Sequence, residues 1–342
     1  MNRLTRTLVL LGIAAAAVVL AGAALGMTYT APVGVFNSSA DSPTDLAVNS
    51  EGDLWVLYTG GNTPRIARLN VIGAQQVSVP ISTADAMPLG ITTDAAGNAY
   101  VTDSNNETIT VYSKSGALLH TYTDPFHLNG PVGIGVSSSG TIYVADAGND
   151  QVEVFSPSGA FTSQFGGGTL SVPNDVAIDS GGNVWVADSG NDQIVEYSGS
   201  GSQLLKFGTE GTGNGQFEIP EYIGVAPTGN VFVSDENNNR IQEFSSSGQF
   251  ESTWGSGGDT AGLFTNPLGL DGDVAGNVYV SDQGNARIQK FYLGANPCTK
   301  VDHRHLASCN LDKGKCLHGL VPSTEVTCVA GVTAKFKRYR TK

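Results

Sequence analysis

The sequence predicts an all-β fold, a six-bladed β-propeller of four antiparallel strands per blade. An export or anchor segment precedes it and a small cysteine-rich tail follows. Three observations predict this. A proline-led unit recurs six times. Each unit alternates with period two, as half-buried strands do. The composition is Gly-rich and charge-poor, with 44 glycines in 342 residues and 14% charged residues, which excludes helical bundles and coiled coils.

The prolines opening the copies are Pro43, Pro88, Pro131, Pro173, Pro220 and Pro267, at spacings of 45, 43, 42, 47 and 47. Nine residues after each comes a glycine, from Gly52 to Gly276. Six further on stand Asp103, Asp146, Asp188, Asp235 and Asp282, with Tyr58 in the first copy. Three further again stand Asn149, Asn191, Asn238 and Asn285. Each copy holds four short alternating runs in about 45 residues, the signature of a propeller blade. The fourth run follows only five copies. Residues 28–36, where Tyr29, Ala31, Val33 and Val35 alternate, are expected to supply the outer strand of the sixth. Pro32 is acceptable there because an outer strand is an edge.

The unit resembles the NHL repeat. The stretch from Phe207-Gly208 through Gly215-Gln216-Phe217 and Pro220 to Asn238-Asn239-Arg240-Ile241-Gln242 carries the likeness, as does Gly276 to Phe291. The resemblance implies a six-bladed propeller over residues 28–297. It also implies a rigid platform for a protein, glycan or small polar ligand. Related propellers that are Ca- or Zn-dependent lyases, esterases or lactonases make a metal-dependent lyase or hydrolase at the channel the alternative.

The flanks differ in chemistry. Residues 1–27 form a signal peptide or membrane anchor: Arg3 and Arg6 precede an apolar run from Leu8 to Leu25. That run is long enough to span a bilayer, and Ala21-Gly22-Ala23 has the form that signal peptidase cleaves. A secreted or extracytoplasmic chain, cleaved or anchored through residues 8–25, is expected. Residues 28–297 carry seven Lys/Arg against 28 Asp/Glu, whereas residues 298–342 carry nine against three. The acidic body argues against nucleic acid as a partner. Cys298, Cys309, Cys316 and Cys328 all lie in the tail and read as two disulfides in an oxidising compartment. Zinc is their rival, since His303, His305 and His318 lie among them, but no Cys-x-x-Cys knuckle exists. The basic stretch Lys335–Lys342 is read as a solvated tail, or as a contact for an anionic surface or the acidic body.

A residue present in every blade points to scaffold. The Asp-x-x-Asn pairs fall at turns, where both side chains bond nearby backbone N–H groups. Gly211-x-Gly213-x-Gly215 lacks the Lys-Ser/Thr of a phosphate loop. Residues that break the repeat are the better site candidates. Two residues after the proline stand Gly90, Gly133 and Gly269, but also Asp45, Asp175 and Tyr222, with Asn174 and Glu221 beside them. This is the expected channel rim. Blades one and four are opposite in a six-membered ring, so Asp45 and Asp175 are expected to face each other across the mouth, with Ca²⁺ the candidate ion. Only His120 and His127 lie in the body, too few for a zinc lyase site, and no nucleophile elbow is present. The expected function is a non-catalytic binding module acting as a monomer.

Overall fold

The computed structural model describes residues 41–61 and 63–292, and the backbone of four short strands outside them: Gly34–Asn37, Ser308–Asn310, Lys315–Leu317 and Cys328–Val329. Six four-stranded antiparallel sheets are arranged as the blades of a propeller. The inner strands are Pro43–Val48, Pro88–Thr93, Pro131–Val136, Pro173–Ile178, Pro220–Val225 and Pro267–Gly272. Each blade then steps outward strand by strand.

The second strands explain the alternation. Leu54–Tyr58, Ile142–Asp146, Val184–Asp188 and their equivalents are buried at every position. Both faces of a blade pack on a neighbouring blade, so both sets of alternating side chains are apolar or locally bonded. The outer strands, such as Leu118–Thr123, are mostly exposed. The core is accordingly six slabs, one between each consecutive pair of blades. The slab of Leu46, Leu54 and Val56 includes Tyr279 and Ile288, which joins blade one to blade six and closes the ring.

The sixth blade takes its outer strand from the other end of the chain. Gly34–Asn37 pairs antiparallel with Arg287–Lys290. All of this described strand but Asn37 falls within the expected 28–36. Residues 28–33, with Pro32, fall outside the described residues, as do the apolar run 8–25 and the four cysteine side chains. No helix among the described residues is long and apolar enough to cross a membrane. In the tail, backbone pairing sets Cys309 opposite Cys316 and Cys328.

Each inner strand enters its sheet through a register shift directly after the proline. A bulge re-aims the side chain next to it. The repeat-breaking residues stand at this bulge.

Candidate functional site at the channel rim

Asp45 and Asp175 are turned inward and are only 5% and 7% exposed. Asp45 accepts hydrogen bonds from its own neighbour, Leu46 N–H, at 2.7 Å and from Ile91 N–H of blade two at 2.7 Å, one on each oxygen. Asp175 does the same in blades four and five, accepting from Val176 N–H and from Ile223 N–H at 3.0 Å. Each carboxylate therefore ties its inner strand to the next. The glycines of the preceding blades make room for them: a Cβ on Gly133 would overlap Asp175, and one on Gly269 would overlap Asp45.

The sequence places the two acids facing each other across an open mouth. The structure instead buries them inside the ring, near enough for Asp175 to act on Asp45. Burial first, and then the charge of Asp175, holds the Asp45 carboxyl well above the usual carboxylate range. Burial pushes Asp175 up to about 8, against the opposing effect of its two backbone donors.

Tyr222 closes the rim. It is 4% exposed, and its backbone N–H donates to Ser234 Oγ at 2.9 Å. Its hydroxyl crosses the channel and donates to the Leu89 carbonyl of the opposite blade at 3.1 Å. Burial, with Asp45, Glu221, Asp175 and Glu236 nearby, holds this phenol far from ionising. Beside it the half-buried Glu221 shares a hydrogen bond with Glu236. Burial and the Glu236 charge push Glu221 up to about 7. Burial also raises Glu236, which accepts from Asn266 Nδ2 at 3.0 Å. The rim thus offers two carboxyls side by side that share a hydrogen bond, with half-buried Asn174 on the neighbouring blade. Such a pair binds hydroxyls and cations and can pass a proton near neutral pH.

Beyond Asp45 and Asp175 the channel widens into a cavity of about 170 Å³. Its lining runs along the inner strands to Val48, Thr93, Val136 and Ile178, so it belongs to the face away from Tyr222. A third carboxylate, Asp271, lines it. Asp271 accepts from Val48 N–H of blade one at 2.8 Å and from Gly272 N–H at 2.7 Å, and burial pushes it up to about 7. The sequence reading passes over Asp271. Its signal is the fourth position after the proline, where the other blades have Ala47, Thr92, Gly135, Ala177 and Gly224.

The repeated polar residues are occupied within the scaffold. Asn149 Nδ2 donates to Asp146 at 3.0 Å, Asn191 to Asp188 at 2.9 Å, Asn238 to Asp235 at 2.9 Å and Asn285 to Asp282 at 2.9 Å. Asp103 holds Asn106 in the same way at 2.8 Å. The glycine loop 211–215 is folded onto its own blade. Arg240 donates to the Thr212, Gly213 and Gln216 carbonyls, while Gly213 N–H donates to Gln216 and Gly215 N–H to Gln242. Those N–H groups point at side chains, not at an anion site.

A divalent cation fits Asp45 and Asp175 poorly. Both carboxylates already receive backbone N–H groups of two blades. Among the described residues no three His, Cys, Asp or Glu side chains are grouped to hold a metal.

The NHL-repeat profile matches residues 128–155 and 170–197. No curated protein matches the chain in sequence. A streptogramin B lyase structure superposes with a TM-score of 0.59 at 17% identity, covering 76% of this chain and 97% of that one. A catalytically inactive virginiamycin B lyase from Staphylococcus aureus with quinupristin gives 0.55 at 18% identity, covering 75% and 82%. A gluconolactonase from Xanthomonas campestris gives 0.58 at 16% identity, covering 78% and 92%. At such identities the likeness is one of fold.

Proposed function

We propose that this chain, an NHL-repeat six-bladed propeller, is a binding module that receives a polar ligand or polypeptide at the rim formed by Asn174, Glu221, Tyr222 and Glu236. The Tyr222 bar carries the reading. With its hydroxyl bonded to Leu89, Tyr222 spans the channel beside Asn174 and Glu221, and the cavity lined by Asp45, Asp175 and Asp271 lies on its other side. The carboxylates beneath it serve the backbone of adjacent blades.

The test is a glycan and peptide binding panel on the full chain and on Glu221→Gln and Asn174→Ala variants. Binding weakened at least tenfold in a variant of unchanged melting temperature supports the rim. A binding profile identical in all three proteins overturns it.

A metal-dependent lyase or lactonase is the second reading. The lyase and gluconolactonase folds favour it, and so does the Glu221–Glu236 pair, whose shared proton suits acid–base chemistry near neutral pH. Turnover of gluconolactone or quinupristin, lost in Glu221→Gln, would establish it. A calcium-induced rise in Tm, lost in Asp45→Asn with Asp175→Asn, would add the metal.

Residues 1–27 are read as the export segment or anchor of this module, and Cys298, Cys309, Cys316 and Cys328 as two disulfides. Denatured, unreduced protein from the culture medium should then show no free thiol. Four free thiols with stoichiometric zinc would replace the disulfides with a metal site.

A further inference from the structure

The loops on the rim face present exposed apolar side chains on four consecutive blades. Met87, Val172 and Ile219 directly precede the prolines of blades two, four and five, and Phe126, 91% exposed, stands in the loop leading to blade three. Val172 and Ile219 are β-branched yet have left-handed backbones, with φ of 47° and 57°. Their N–H groups are held there by the preceding blade, Val172 by Asp150 Oδ1 at 2.7 Å and Ile219 by Asp192 Oδ1 at 3.0 Å. The equivalent residue of blade six is Asn266, with φ of 52° and its N–H on Asn239 Oδ1 at 3.1 Å. Asparagine, which tolerates this conformation, therefore meets the backbone's need. Valine and isoleucine occupy it at a cost in strain and leave their side chains in solvent.

The same face is acidic. Asp150 and Glu218 are exposed on it, and Asp192 is half-buried. Of the seven cations of the propeller, five are in ion pairs with carboxylates and Lys290 lies over the Tyr279 ring. Lys206 is exposed on the outer edge of blade four, near the rim-face end of the strand Gln203–Phe207. A surface of apolar side chains on which carboxylates outnumber cations suits a segment with both cations and aromatic rings. The chain carries one: Lys335–Lys342 has five cations with Phe336 and Tyr339 between them. Outside the paired strands between Ser308 and Val329, residues 293–307 and 330–334 would, extended, supply about 66 Å of chain at ~3.3 Å per residue, enough to carry the segment from Tyr292 to the rim face.

We propose that the apolar, acidic arc of Phe126, Val172 and Ile219 receives the segment Lys335–Lys342 of the same chain. Tethering raises the effective concentration of the segment to about the millimolar range, so modest affinity suffices.

The experiment titrates a peptide of residues 335–342 into two full-length proteins. One is native. In the other Lys335, Lys337, Arg338, Arg340 and Lys342 are each changed to Gln. The peptide should bind the neutralised chain at least tenfold more tightly than the native one, and binding should weaken as salt is raised. Phe126→Ser with Val172→Asn and Ile219→Asn, added to the neutralised chain, should weaken it tenfold again. Those asparagines relieve the strained backbone, so the variant should melt no lower than its parent. Equal affinity for native and neutralised chains, no binding at low salt, or indifference to the triple change would overturn the proposal. A native chain that dimerises where the neutralised chain does not would move the segment to a second copy and overturn the intramolecular contact. None of these changes touches Glu221 or Asn174, so rim variants that alter panel binding would leave the proposed function standing alone.

Discussion

Blade three and blades five and six solve the same packing problem with different charges. In blade five the turn carboxylate Asp235 receives Arg240 Nε at 2.6 Å and Gln242 Nε2 at 3.0 Å. In blade six Asp282 receives Arg287 Nε at 2.6 Å and Gln289 Nε2 at 2.9 Å. The same arginines reach on to three carbonyls of the long loop before their blade. Blade three has Gln151 and Glu153 at the corresponding positions and a short loop above them. Glu153 is fully buried. Gln151 donates to one of its oxygens at 2.7 Å, and the other has no partner among the described residues. Burial pushes Glu153 up to about 7 and Asp146 up to about 6. Cation and long loop thus belong together: the guanidinium neutralises the turn and fastens the loop. Without it, the blade keeps buried acids whose pKa burial raises.

Removing the cation from the first kind of blade should have the largest effect. Arg287→Leu takes the cation from fully buried Asp282, leaving it only neutral donors, and removes the Arg287 bonds to the Asp259 and Thr260 carbonyls, and should destabilise the protein by roughly 3–5 kcal/mol. A loss below about 1 kcal/mol in denaturant unfolding would show that the clamp is dispensable. Crowding blade three should come next. Gly133→Ala sets a methyl group against the Asp175 backbone and carboxylate of the next blade, and should cost about 1–3 kcal/mol. Gly168→Ala, on an open loop of the same blade, is the control: its φ of 76° is strained, but no atom stands in the way.

The smallest effect sharpens the contrast through pH. The raised carboxyls, Glu153 in blade three and Asp45, Asp175 and Asp271 around the channel, bind protons more tightly folded than unfolded. The stability these groups contribute is therefore fully present below the ordinary carboxylate range. It should fall as pH rises from the ordinary carboxylate range towards about 8, the Asp175 value. Glu153→Gln removes one of these groups. It should stabilise the protein at pH 8 by on the order of 1 kcal/mol and change little at pH 4. A melting temperature that climbs steadily from pH 5 to pH 8 would contradict both statements.

How far the sequence reached follows from the same contrast. Six blades, their four strands and the borrowed outer strand of blade six were legible, because each blade repeats one local problem and writes it in the same alternation. The glycines nine residues after each proline were legible for the same reason: all six have positive φ, between 80° and 93°. The described part of the borrowed strand, Gly34–Asn37, overlaps the expected 28–36, though alternation at Tyr29–Val35 does not say which partners it finds, Arg287–Lys290. Asp45, Asp175 and Tyr222 stood out as breaks in the repeat, yet their partners did not. Asp45 bonds Ile91, Asp175 bonds Ile223 and Tyr222 spans to Leu89, across 46, 48 and 133 residues of chain. Those bonds exist only once the ring has closed and set one inner strand beside the next. The local pattern determined that the chain would form blades, because strand alternation and turn chemistry act over a few residues. The closed ring alone decided that its exceptional residues would be buried, paired across blades and, at Tyr222, drawn over the channel, because those bonds join strands that only closure makes neighbours.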